Sequence, residues 1–232
     1  MSQRSRITRL SYACLALLVA APIAAAQEKT ETQNRKSITT SEWPSLRGVL
    51  AIGEVRQLLE LNEEEQDEIR LFVEDKRRRR GSDDDPVETV SPPPPPDAPV
   101  GQRELYRQER RLTRILGKER FVRIRQIQAQ AGGLPGALTR DDPSTRLEVT
   151  AEQRSQARKE LRAIADKKTD QFHAIPARDH DQQAKFRSEM YDEVAPQLMA
   201  LLTDEQKAKW VEMTGEPADP ALILRIRTLG GR

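Results

Sequence analysis

The chain has 232 residues, 33% of them charged and 4% aromatic, with a formal net charge of +2 and a single cysteine. So many charges and so few aromatics exclude one thick globular core and point to thin cores between amphipathic helices. A lone cysteine excludes a disulfide framework.

The amino terminus carries three features in order. Arg4, Arg6 and Arg9 make a positive stretch without an acidic residue, Ala13 to Ala21 are continuously apolar, and Ala24-Ala25-Ala26 precede Gln27. This order reads as a cleavable secretory signal peptide over residues 1–26. The apolar run falls short of the ~20 residues that cross a bilayer, and Pro22 ends it, so no stable membrane insertion is expected. Cys14 opens the run rather than following it, against the order of a lipoprotein signal. Cleavage removes that cysteine and the three arginines, leaving 36 of the 39 Lys and Arg against 37 Asp and Glu. The mature charge is then about −1, so the precursor's basicity is no sign of a nucleic-acid partner. The expected location is periplasmic or secreted, and thiol catalysis is excluded after cleavage.

Residues 27–44 are polar and aperiodic, a flexible leader. Residues 45–138 read as a first helical half. Leu50, Val55, Leu58, Leu59 and Leu61 give its first apolar cluster, and Ile69, Phe72 and Val73 continue on a helix running into Lys76 to Arg80. That basic run suits either a helix carboxyl terminus or an anionic partner. Residues 81–101, with Pro92 to Pro96, read as a disordered Pro-rich linker within this half. Helix resumes near Arg103 with Leu105, Leu112, Ile115 and Leu116. Gly117 interrupts it, Phe121, Val122, Ile124 and Ile127 follow, and Gly132-Gly133 end it. Residues 139–232 read as a second half. One stripe carries Ala157, Leu161, Ile164 and Phe172. Another carries Phe186, Met190, Val194, Leu198 and Leu201, with Pro196 expected to bend or restart it. A short helix with Trp210 and Met213 closes the series. No segment alternates with period two, so the expected fold is all-α.

One five-residue pattern recurs: Leu61-Asn62-Glu63-Glu64-Glu65, Leu116-Gly117-Lys118-Glu119-Arg120, Val149-Thr150-Ala151-Glu152-Gln153 and Leu202-Thr203-Asp204-Glu205-Gln206. Its physical content is a capping box. The N-cap side chain accepts from the amide three residues on, and the residue there reaches back to the N-cap amide. Asn62 with Glu65, Thr150 with Gln153, and Thr203 with Gln206 are the candidate pairs, with Glu65 able to stand where the glutamines do. The second copy is degenerate, because Arg120 cannot accept. Leu61 and Val149 lie 88 positions apart, Leu116 and Leu202 86, and Leu59 to Asn62 match Leu147 to Thr150. The spacing predicts a duplication into two similar helical-hairpin halves.

Leu202 to Gln206 match the LTxxQ motif of the Spy/CpxP-like periplasmic helical proteins, and Val149 to Gln153 differ by one conservative change. The chain resembles a longer, duplicated relative of that family. The resemblance implies a thin helical exported protein that binds without catalysis, either as a chaperone or in the envelope-stress response, with unfolded or envelope polypeptides as partners. A branch of the family binds zinc. The alternatives are a structural, scaffolding envelope protein and a zinc-responsive sensor using His173 and His180. Those histidines lie seven apart beside Asp179 and Asp181, but Pro176 between them breaks the helix that would align them. No nucleophile elbow appears. Glu104, Arg107 and Arg111 read as solvated ion pairs. The chain is therefore not expected to be an enzyme, and no cofactor or catalytic residue is assigned.

Overall fold

The computed structural model describes residues 43–74, 93, 95–97 and 100–229. The expected signal peptide, residues 27–42 of the leader, the run Lys76 to Arg80 and most of the Pro-rich linker lie outside the described residues. Those described contain no strand, and the fold is all-α. Its helices are α1 (Leu46–Leu50), α2 (Gly53–Leu58), α3 (Glu63–Glu74), α4 (Val100–Thr139), α5 (Asp141–Arg146), α6 (Ala151–His173), α7 (His180–Ala200), α8 (Asp204–Thr214) and α9 (Pro220–Leu229).

Glycines divide α4 into three rods. Gly117 has φ 74° and ψ 164°, and Gly133 φ 62° and ψ 178°, a positive-φ extended backbone essentially reserved for glycine that costs an L-residue about 1–3 kcal/mol. The rods span residues 100–116, 118–132 and 134–139. Pro135 stands early in the last rod, where a missing N–H costs little.

The likeness of the two halves extends to the backbone. Among the described residues, two non-glycine positions have positive φ, Glu60 at 51° and Glu148 at 55°, and they occupy equivalent places 88 positions apart. Each follows a short helix, α2 or α5, and precedes a capped one, α3 or α6. At the second site Glu148 N–H donates to the Thr145 carbonyl at 3.0 Å and Val149 N–H to Ser144 at 2.9 Å. These are the two bonds of a Schellman ending. Gly133 and Gly215, with φ of 62° and 55°, end the helix that follows the second motif copy of each half. Helix order therefore repeats: a short helix, a motif helix, a long helix, a motif helix and a terminal helix.

The terminal helix of the second half does not stay there. Leu222 and Ile226 of α9 join the cluster of Leu50, Val55, Ile69, Phe72, Leu112 and Ile124 from the first half. In the second half, Ala157, Leu161 and Ile164 of α6 and Met190, Val194 and Leu198 of α7 are buried, and these two helices pack as a hairpin. α4 packs against α6, α7, α8 and α9. All described residues lie in one compact unit.

Two expectations need correction. Pro196 does not restart a helix, because α7 runs through it to Ala200. Leu58 and Leu105 are 47% and 43% exposed. Leu58 is turned about 100° from buried Leu59, and Leu105 lies two turns before Leu112, beyond the packed part of that face. Arg107 pairs with Glu104 at 3.0 Å, as the charge spacing suggests, and Arg111 has a ring partner as well. Its guanidinium lies 5.3 Å from the centre of the Phe72 ring, with that of Arg47 at 5.0 Å, an attractive arrangement of cation and ring.

Candidate functional site

The five-residue motifs meet in pairs. In the second half, Thr150 Oγ1 accepts from Gln153 N–H at 3.1 Å, and Gln153 Oε1 accepts from Thr150 N–H at 3.0 Å. Thr203 and Gln206 repeat this at 3.3 and 3.0 Å. Both are complete capping boxes. The two glutamines then face one another. Gln153 Nε2 donates to Gln206 Oε1 at 2.8 Å, and Gln206 Nε2 to Gln153 Oε1 at 3.1 Å. Each Nε2 also donates across the pair to a backbone carbonyl before the other motif, Leu201 at 2.7 Å and Glu148 at 3.0 Å. Every donor and acceptor of both amides is used. A capping box alone tolerates glutamate; this mutual pair requires a group that both donates and accepts.

In the first half the same meeting is ionic. Asn62 Oδ1 accepts from Glu65 N–H at 2.9 Å, and Glu65 Oε2 from Asn62 N–H at 3.0 Å. Arg120 stands opposite. Its Nη1 donates to Glu65 Oε2 at 2.9 Å and its Nη2 to Oε1 at 2.5 Å, while Nε donates to the Leu116 carbonyl at 2.7 Å. The two-pronged Arg120 contact, followed by the Asn62 amide, holds the Glu65 carboxyl below its ordinary pKa. The second motif copy is thus complementary rather than merely degenerate. Arg120 was missed because the pattern was read for local capping. The signal was the joint departure, an acid in one copy and a base in the other.

A cleft of about 550 Å³ opens where the halves join. From the middle rod of α4 come Val122, Arg125, Gln126 and Ala129, spaced as one helix face. From the second half come Asp142, Pro143 and Arg146 of α5, Glu148 at the left-handed turn, and Lys209, Glu212 and Met213 of α8; Trp43 completes it. Pro44, beside Trp43, is held by its carbonyl accepting from buried Gln128 Nε2 at 2.7 Å. The Trp43 ring lies so close to Gly132 that a β-carbon there would come within 2.2 Å of it. The Trp43 indole N–H is buried and has no partner.

Four of the cleft's charges neutralise one another. Arg125 pairs with Asp142 at 3.0 Å and Lys209 with Glu148 at 2.6 Å. Arg146 makes no hydrogen bond or ion pair with any described residue. It counts as exposed by area at the cleft rim, yet protein crowds its guanidinium. Lost hydration, and then the nearby Arg125 charge, push it below the usual arginine range, against the pull of Asp142, Glu109 and Glu212. Glu212 lies near enough to feel that charge but forms no ion pair with it.

His173 ends α6, and His180 begins α7 beyond an exposed connection, where Asp179 Oδ1 caps the helix by accepting from Gln182 N–H at 3.0 Å. Among the described residues no three His, Cys, Asp or Glu side chains are grouped to hold a metal ion, and no helix is long and apolar enough to cross a membrane. The chain matches no protein-family model, no curated protein and no solved structure.

Proposed function

We propose that this chain is an exported, non-enzymatic helical binding protein that holds polypeptide segments, as its resemblance to Spy/CpxP-like proteins implies. The observation that carries the reading is the cleft at the seam of the halves. Val122, Ala129, Pro143, Met213 and the Trp43 ring supply apolar surface, and charged side chains rim it. Concave, mainly apolar surfaces with a few placed polar groups are where proteins take ligands.

The test is aggregation of a chemically unfolded client, followed by light scattering at an equimolar ratio of the protein lacking residues 1–26. The reading expects slower aggregation, and weaker protection when Val122→Arg or Met213→Arg places a charge in the cleft. No protection of any client, or full protection by both variants, would count against it.

A further inference from the structure

The charges left over in the cleft say more about the occupant than its apolar walls do. Arg125 is committed to Asp142 and Lys209 to Glu148. That leaves one cation, Arg146, and one anion, Glu212, close enough to interact but without an ion pair between them. The Trp43 indole N–H adds a donor without an acceptor. A group carrying a carboxylate would satisfy Arg146 in the two-pronged manner guanidinium favours. Glu212 accepts only, so next to that carboxylate it calls for an N–H donor. Val122, Ala129 and Met213 call for an apolar body. One common chemical unit bears a carboxylate, an amide N–H and an apolar side chain on a single carbon: the last residue of a polypeptide.

We propose that the cleft recognises a free polypeptide carboxyl terminus ending in an apolar residue. Arg146 takes the carboxylate, Glu212 accepts the terminal amide N–H, and the side chain lies against Val122, Met213 and the Trp43 ring. The proposal rests on the polypeptide-binding reading above and narrows it from any segment to a chain end. The neutral sum of the cleft's charges fits a ligand whose one negative charge must be placed rather than merely attracted.

The experiment uses a Trp210→Phe chain, so that Trp43 is the sole tryptophan and reports on the cleft. Three probes are titrated: acetyl-Ala-Ala-Phe with a free carboxylate, the same peptide as its carboxamide, and N-acetylphenylalanine. The proposal expects a saturable change in Trp43 emission with the free acid, at least tenfold weaker binding of the carboxamide, and a comparable loss for the acid in Arg146→Gln. Arg146→Lys should recover part of the affinity, and circular dichroism checks that each variant folds. N-acetylphenylalanine carries all three recognised groups and should bind within a few-fold of the tripeptide; its binding while the tripeptide does not would overturn the chain end as the occupant, in favour of a small acyl amino acid. Equal binding of acid and carboxamide would overturn the carboxylate's role while sparing the broader reading. A response to none of the three would overturn the proposal, whereas the client-aggregation test judges the broader reading separately.

Discussion

Gln153 and Gln206 each do two tasks with one amide, closing a helix start and joining two such starts together. Truncating either leaves the other's buried donor and acceptor unmatched, which costs about 1–3 kcal/mol. Gln153→Ala and Gln206→Ala should each lower stability by that order in urea unfolding. The double variant should lose less than the two losses added, with about 1 kcal/mol of coupling, because the second truncation removes a partner already lost. Strict additivity would mean that the amides do not meet. Glu65 and Arg120 make the equivalent joint titratable. The folded Glu65 pKa is depressed below its ordinary 4.5, so its stabilisation is present above that value and fades as pH falls through the depressed one. Arg120 is 36% exposed, and solvent screening limits the gain to about 1 kcal/mol. The stability gap between the unmodified chain and Glu65→Gln should therefore be constant near neutrality and close below about pH 4.5. Unfolding curves at stepped pH measure this directly. The capping half of both joints was legible in the sequence, since a capping box spans only four residues. The joining half was not. The facing residues lie 53 and 55 positions apart, and local patterns carry no information on which turns meet.

The helices themselves are placed by how they start and stop. Thr150 and Thr203 should each cost about 1 kcal/mol when replaced by alanine, with loss of thermal stability as the readout. Gly117 stops one rod and starts the next at φ 74°, and a β-carbon there would meet nothing within 4 Å. Gly117→Ala should therefore cost about 1–3 kcal/mol through backbone strain alone. Gly132→Ala has a different cause, displacement of the Trp43 ring, and should alter Trp43 emission where Gly117→Ala does not. Helix type and rough extent were readable from apolar spacing, because spacing reports which face is buried. A restart at Pro196 was suggested by its lost hydrogen bond, but Met190, Val194 and Leu198 pack on either side of it and the helix continues. The ring contact of Arg111 could not be read from charge spacing, which says nothing of a ring brought up by another helix.

For the molecule as a unit, the sequence divided the chain into halves without showing whether they stand apart. The packing joins them. Leu222 and Ile226 of α9 fill the first half's core. Arg227 beside them donates to the carbonyls of Ala131 at 2.9 Å and Gln130 at 3.3 Å, and to Ser188 Oγ of α7. Burial pushes the Arg227 pKa down, yet its bonds close the open end of the helical rod before Gly133, a place where a cation is favoured. A helix from the end of the chain is thus structural material for the beginning. Two consequences can be measured. Unfolding followed by Trp43 emission in Trp210→Phe and by Trp210 emission in Trp43→Phe should give the same midpoint, once each is referred to its own circular-dichroism transition. Truncation after residue 218 should expose the apolar bed of α9, weaken both halves together and bring dye binding by the uncovered core. Independent transitions, or a truncated chain whose first half unfolds at an unchanged midpoint, would mean that each half is stable alone. The shared core argues otherwise, because neither half encloses its buried side chains without the other's terminal helix or rod.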